Sequence, residues 1–202
     1  MNLIQLNSGR YLDLSHPNPD DILIEDIAHG LSNICRFTGQ CRKFYSVAQH
    51  SVLVANKVMK EHPNLAMAAL LHDAQEAYIG DISSPLKEMI GGYGSIENRL
   101  ARRIEDKFCP LSAEDHAKAL RVVKIHDLRA LATERRDLMH PGGTWDCLEG
   151  VEPYADPIVP WGPHKAKLAF LETHYSIKKA YDAARSDDDG PVVTESSVVD
   201  RT

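Results

Sequence analysis

His50, the adjacent pair His72-Asp73 and Asp127 are the residues of this sequence whose types and placement are best suited to chemistry. His72 and Asp73 fall inside a strongly apolar stretch, residues 65–79, in which Leu65, Ala66, Ala69, Leu70 and Ala77 recur at helical spacing. Two ionisable neighbours buried in such a helix are costly unless something pairs or coordinates them. A divalent cation does both, because imidazole nitrogen and carboxylate oxygen suit Mn, Fe, Co, Ni or Zn. His50 lies in a second apolar helix among Val47, Val54 and Val58, and Asp127 lies near the middle of a third, three residues after Lys124. Glu76 follows His72 by four residues, and one turn of helix puts the two side chains on the same face. Asp81 comes just past the helix end at Gly80.

The elements that must position these residues can be read in outline. Apolar residues alternate on both sides of Asn7-Ser8-Gly9, the pattern of a small hairpin over residues 3–14. Pro17 and Pro19 break the chain before a helix over 24–35. Ser46 is a candidate cap for a helix running to His62, and Pro63 restarts the chain for a single helix over 63–79, ended by Gly80. A short segment over 84–90 precedes Gly91-Gly92. Ile96, Leu100, Ile104 and Phe108 then mark another helix, stopped by Pro110. The longest helical pattern covers 112–139. Residues 141–163 hold both tryptophans and five prolines, which predicts an irregular wrap over the core. A last amphipathic helix is predicted over 164–184. The acidic, Ser/Val-rich tail, 185–202, is predicted to be disordered.

Length and composition bound the function. A chain of 202 residues carries one domain with a substantial core, here 1–184. The net charge of −6, of which the tail contributes −3, argues against a general binder of nucleic-acid polymers, whose phosphates select basic surfaces. The four cysteines form no C-x-x-C pair, so a zinc ribbon is not expected. The Met1-Asn2-Leu3 start lacks a charged segment followed by an apolar one. Free thiols in a reducing cytoplasm are therefore expected, with a Cys35–Cys41 disulfide as the alternative. No apolar run approaches the ~20 residues of a membrane span.

The ordered series of His50, His72-Asp73 and Asp127 on successive helices resembles the HD-domain superfamily of metal-dependent phosphohydrolases. The runs Cys35-Arg36-Phe37-Thr38-Gly39-Gln40 and Tyr45-Ser46-Val47-Ala48-Gln49-His50-Ser51 resemble the first motif of its small nucleotide-cleaving members. Leu70-Leu71-His72-Asp73-Ala74-Gln75-Glu76-Ala77-Tyr78-Ile79-Gly80-Asp81 resembles the second, with Pro85-Leu86-Lys87 following it. The run from Asp127 to Leu138 resembles the last motif of a subgroup common in phages and bacteria. The likeness covers about residues 3–175, and it implies an all-α, compact HD-domain helical bundle with a small N-terminal β-hairpin. It also implies that His50, His72, Asp73 and Asp127 hold the metal and that Glu76 is the catalytic acid/base. Asp81 becomes a supporting or sugar-contacting carboxylate, and Arg36 and Lys87 hold phosphate; by residue type alone, Lys124 is a further point charge for phosphate and Phe37 can stack on a base. The two branches most similar are phage dATP triphosphohydrolases and bacterial 5′-deoxynucleotidases. The implied reaction is cleavage of dATP or another dNTP to deoxynucleoside and triphosphate, with additional Mg on the triphosphate. The alternatives are phosphate release from dNMPs and, outside the enzymes, a nucleotide-binding regulatory module. Relatives are commonly homo-oligomers. His126 departs from the pattern, standing where related sequences often have a small residue.

Plainer readings stand beside these. Glu76 can be a salt-bridged acid, Asp81 a turn residue, and Arg36 a structural partner of an acid such as Asp26. Lys87 and Lys124 can be solvated, and Phe37 can belong to the core. His29, His116 and His174 read as ordinary core histidines. Glu134-Arg135-Arg136-Asp137 reads as a charge-laced exposed face of the long helix, and Trp145 and Trp161 as anchors of the wrap.

Overall fold

The computed structural model of the chain describes the backbone of residues 2–188 and the side chains of residues 2–184. At the N-terminus, β1 (Leu3–Gln5) and β2 (Tyr11–Asp13) pair antiparallel with Ile4 opposite Leu12, which is fully buried. Gly9 takes the left-handed backbone that closes the turn, at φ 86°. The turn is tied to the first helix by Asp26, whose carboxylate accepts from the Ser8 backbone N–H at 2.8 Å and the Ser8 hydroxyl at 2.7 Å. Asp26 is therefore occupied and is not the partner of Arg36.

The helices that follow are α1 (Ile24–Asn33), α2 (Val47–Glu61), α3 (Ala66–Leu71), α4 (Glu76–Ile79), α5 (Ser84–Met89), α6 (Tyr93–Phe108), α7 (Ala113–Leu138) and α8 (Pro163–Asp188). The expected all-helical architecture with one small hairpin is what the chain adopts. Ser46 caps α2 by accepting from the Gln49 N–H at 3.2 Å, and Ser112 caps α7 by accepting from the Asp115 N–H at 3.1 Å. Helix α2 is central, packed against α1, α3, α7 and α8. Val47, Val54, Ala55 and Val58 on α2 join Ile27 and Leu31 of α1, Leu70 of α3 and Phe170 of α8 in one apolar core. His50 sits inside that core because its helix is buried nearly all round.

The single helix expected over 63–79 is broken. Pro63–Leu65 is a 3₁₀ turn, α3 ends at Leu71, and the chain winds tightly through residues 72–75 before α4 begins. There the Ala74 N–H donates to the Leu71 carbonyl and the Glu76 N–H to the Asp73 carbonyl, both at 3.0 Å, the i to i+3 pattern of a 3₁₀ coil. The wrap over 141–163 is irregular as expected, and Gln49 fastens it. Its side chain donates to the Val159 carbonyl at 2.9 Å and accepts from the Trp161 N–H at 2.7 Å. Helix α8 runs to Asp188, past the expected end at 184, and the rest of the 185–202 tail lies outside the described residues. All four cysteines are free, with the Cys35 and Cys41 sulfurs 3.5 Å apart. Among the described residues no helix is long and apolar enough to cross a membrane.

Candidate metal centre

Three elements converge on one point. α2 supplies His50, the end of α3 supplies His72, and α7 supplies Asp127; their ligand atoms all lie within 4.8 Å of one another. His50 Nε2 is 3.3 Å from His72 Nε2 and 3.3 Å from Asp127 Oδ1. Each ring has its other nitrogen committed. His50 Nδ1 is 2.6 Å from Glu134 Oε1, and His72 Nδ1 is 2.8 Å from the Ala69 carbonyl oxygen. A carboxylate and a carbonyl only accept, so both Nδ1 atoms carry hydrogen and both neutral rings turn a bare Nε2 lone pair inward. Two lone pairs and a carboxylate facing one another repel unless a cation or an added proton lies between them. The donor set of two imidazole nitrogens and a carboxylate oxygen fits a divalent transition metal, and this group can hold one.

The electrostatics of the bare site say the same. Burial pulls the His72 imidazole down, but Asp73 and Asp127 outweigh it and push the ring up to about 9. His50 is likewise raised, burial and Arg36 opposing and Glu134 and Asp127 prevailing. Asp127 is held far below the usual carboxylate range, since the His50 contact overcomes its burial. Asp73 is not one of the three converging residues. It stands beside them, with Oδ2 3.2 Å from His72 Nε2 and 3.6 Å from both His50 Nε2 and Arg36.

The remaining expected residues divide. Glu76 is 4% exposed, and its Oε2 has no hydrogen-bond partner. Burial first, then Asp73 and Asp81, push its carboxyl up to about 9, so in the bare site it is protonated at neutral pH. Asp81 is half-buried just after Gly80 and is also raised, chiefly by burial. Lys87 reaches back from α5, its ammonium 3.7 Å from Glu76 Oε1 and 2.7 Å from Glu97 Oε1. Lys124 pairs with Asp127 Oδ2 at 3.0 Å, and its side chain is 64% exposed. Phe37 packs beside Trp145, ring centroids 5.9 Å apart, next to the Arg36 guanidinium. Phe37 and Thr38 both have left-handed backbones, φ 57° and 51°, a conformation that costs a β-branched or aromatic residue energy.

Glu134 is the residue that the spacing argument missed. It is completely buried, not on an exposed face, and it joins two site residues. Besides His50, it accepts from Arg36 through Nε and Nη2, both at 3.1 Å. A signal for it did exist: Glu134 falls two helical turns after Asp127, on the stripe that also carries Val123, Ala130 and Leu138. His126 points away from the site and pairs through Nδ1 with the Tyr154 hydroxyl at 2.7 Å, securing the wrap.

Fold and site together define an all-helical protein that can hold a metal ion between His50, His72 and Asp127. The chain belongs to a bacterial family represented by two proteins similar to it along almost their whole length. One is Uncharacterized protein YfdR of Escherichia coli K12, 41% identical over 177 residues, or 85% of this chain and 93% of that protein. The other is Uncharacterized protein RCAP_rcc00048 of Rhodobacter capsulatus, 43% identical over 187 residues, or 86% and 94% of the two chains. No family model matches the sequence.

Proposed function

We propose that this protein is a divalent-metal-dependent phosphohydrolase acting on deoxynucleotides. The observation that carries the reading is the inward-facing His50–His72–Asp127 cluster with the buried Glu76 close by. The resemblance to HD-domain phosphohydrolases supports it. A divalent ion held by His50, His72 and Asp127, with Asp73 beside them, would supply positive charge to the phosphoryl group and acidify water. The protein's own groups do the rest. Arg36, with Nε and Nη2 turned to Glu134 and Nη1 3.6 Å from Asp73, is held beside the cluster, where its charge would draw a phosphate. Glu76 in its protonated form is set to give a proton to the leaving ester oxygen. Asp81, on the same side, is suited to a sugar hydroxyl. A module that only bound nucleotide would gain nothing from a buried acid whose Oε2 has no partner at this place, which speaks against the regulatory reading.

Charge pairing guides the choice between substrates. Three cations surround the site, which would suit a triphosphate, yet each already has a carboxylate partner: Glu134 and Asp73 for Arg36, Glu97 for Lys87, and Asp127 for Lys124. That balance favours a monophosphate, and hence 5′-deoxynucleotidase action. Cleavage of dATP or another dNTP, with additional Mg, is the second reading. It rests on Lys124, whose exposed ammonium is free to swing towards a longer phosphate chain. Assembly into a homo-oligomer follows from the resemblance, and it belongs to the same proposal, as does the cytoplasmic location expected above.

The test is product analysis of the purified protein with Mn or Co and each dNMP and dNTP in turn. Phosphate from monophosphates supports the first reading, and intact triphosphate from a dNTP the second. No product from any nucleotide, or full activity in Asp127→Ala, would sink the proposal.

A further inference from the structure

Cys35 and Cys41 take no part in the chemistry above, yet their sulfurs lie 3.5 Å apart. Both residues are half-buried and so within reach of solvent, whereas Cys109 is buried. Each of the two is pinned on its outer side. Cys35 forms an isolated bridge with Ser46, flanked by the Val47 N–H donating to the Ile34 carbonyl at 3.1 Å and the Arg36 N–H donating to the Tyr45 carbonyl at 2.9 Å. Cys41 is followed by Arg42, whose backbone N–H donates to the Leu138 carbonyl and whose side chain donates to that of Asp137, at the end of α7. Between these anchors Phe37, Thr38 and Gly39 are all left-handed, at φ 57°, 51° and 79°. Two non-glycine residues in that region cost energy, and strain of this kind gathers where structure serves function. Here it sits in the loop that brings the sulfurs together. Closing 3.5 Å to the ~2.05 Å of a disulfide asks the sulfurs to approach by about 1.5 Å, a step that side-chain rotation can supply.

We propose that Cys35 and Cys41 form a redox site, oxidised reversibly to a disulfide by a low-molecular-weight disulfide such as glutathione disulfide. Burial, followed by the Cys35 contact, pushes the Cys41 thiol up to about 11, so the opening attack falls to Cys35. The Cys35 sulfur, giving up its proton, displaces one glutathione and forms a mixed disulfide. Cys41 then gives up its proton and attacks the Cys35 sulfur, expelling the second glutathione. Two protein thiols become one disulfide, one glutathione disulfide becomes two thiols, and the released protons go to those thiols. In a reducing compartment such a bond is transient, the behaviour of a sensor. Its effect passes through Arg36. In the reduced chain Cys41 Sγ lies 3.7 Å from the Arg36 carbonyl oxygen, a weak donor to it. Oxidation removes that hydrogen and ties down Cys35, the residue before Arg36. Arg36 shares Glu134 with His50, so the oxidised protein holds a metal ion less tightly. This chemistry is independent of what the metal cluster acts upon.

The test uses full-length protein carrying Cys147→Ser, which removes the exposed thiol, equilibrated in glutathione buffers from fully reduced to fully oxidised. Alkylation of free thiols after unfolding, then mass spectrometry of peptides, should find a Cys35–Cys41 disulfide that dithiothreitol reverses, with Cys109 alkylated throughout. Calorimetric titration of the same samples should find Mn bound roughly threefold or more weakly after oxidation, and no such change once Cys35→Ser is added. In Cys41→Ser, Cys35 should keep one glutathione. Both thiols free, or carrying only glutathione, in the fully oxidised buffer would overturn the redox site. A disulfide that forms and leaves Mn affinity unchanged would overturn its link to the metal cluster through Arg36.

Discussion

Glu134 shows how much one buried carboxylate can organise. It accepts from His50 at 2.6 Å and from Arg36 at 3.1 Å, so a candidate metal ligand and the cation beside the cluster share one counter-charge. A partner that holds a ligating histidine by its second nitrogen sets the ring's tautomer and aim, and losing it typically lowers metal affinity 10–100-fold. Glu134→Gln keeps the shape but removes the charge. We expect Mn affinity, read by calorimetric titration, to fall by about that factor, and stability to drop by about 3 kcal/mol because Arg36 is left buried with too little negative charge. Metal affinity equal to the wild type would show that Glu134 is only structural. Glu76 yields a prediction in pH. Its carboxyl is raised from an ordinary 4.5 to about 9 in the folded, metal-free protein. The folded state thus holds this proton more tightly than the unfolded chain does, and its contribution to stability is full below about 4.5 and is lost as pH rises towards about 9. Urea unfolding of the metal-free protein should show that decline, and Glu76→Gln should flatten it while reducing turnover by 10²-fold or more. A wild-type profile no steeper than that of Glu76→Gln would count against the buried acid.

At the scale of elements, the site depends on a helix that does not stay a helix. The tight winding over 72–75 separates α3 from α4 and sets where His72, Asp73 and Glu76 point. α4 in turn lies hard against α1, where Gly30 leaves room for it. A Cβ placed at Gly30 would sit 2.8 Å from the Ala77 carbonyl oxygen and 2.9 Å from the Ala77 Cβ. Propensity alone says that Gly30→Ala in the interior of α1 should stabilise by about 1 kcal/mol. Contact says the opposite, and overpacking of a closed helix contact costs about 1–3 kcal/mol. We expect contact to win, with a lower denaturation midpoint and, since α4 begins at Glu76, reduced turnover. A gain in stability would mean that α1 and α4 slide apart easily and that the position of α4 is soft.

For the whole molecule, an ion held by the cluster would couple folding to metal. Residues 50, 72 and 127 come from three segments that meet only in the folded chain, so an ion bound there would stabilise the native state. At a free concentration a hundredfold above its dissociation constant, the ion should add about 2.7 kcal/mol. For a domain of this size that is a rise in Tm of roughly 5–10 °C, measurable by calorimetry with and without Mn. Asp127→Ala should lose most of the rise. A wild type whose Tm ignores Mn, Co, Fe, Ni and Zn alike would deny the site its metal.

The sequence by itself determined the elements that local rules govern. The Asn7-Ser8-Gly9 hairpin, the Ser46 cap, the proline-rich wrap and the α7 pattern follow from turn chemistry, capping and periodicity, which act within a few residues. It also determined which residues could meet, because burying His50, His72 and Asp127 in apolar stretches makes sense only if they find one another. Tertiary structure alone decided the partners. Arg36 chose Glu134 and Asp73 over Asp26, which the hairpin turn had taken, and Glu134 went inward because α2 brought His50 to it. The break after Leu71 was settled in the same way. Local propensity favours one continuous helix there, and a 3₁₀ coil is preferred only when surrounding helices reward the change in side-chain direction. Such choices rest on contacts between residues tens of positions apart, and no short-range pattern records them.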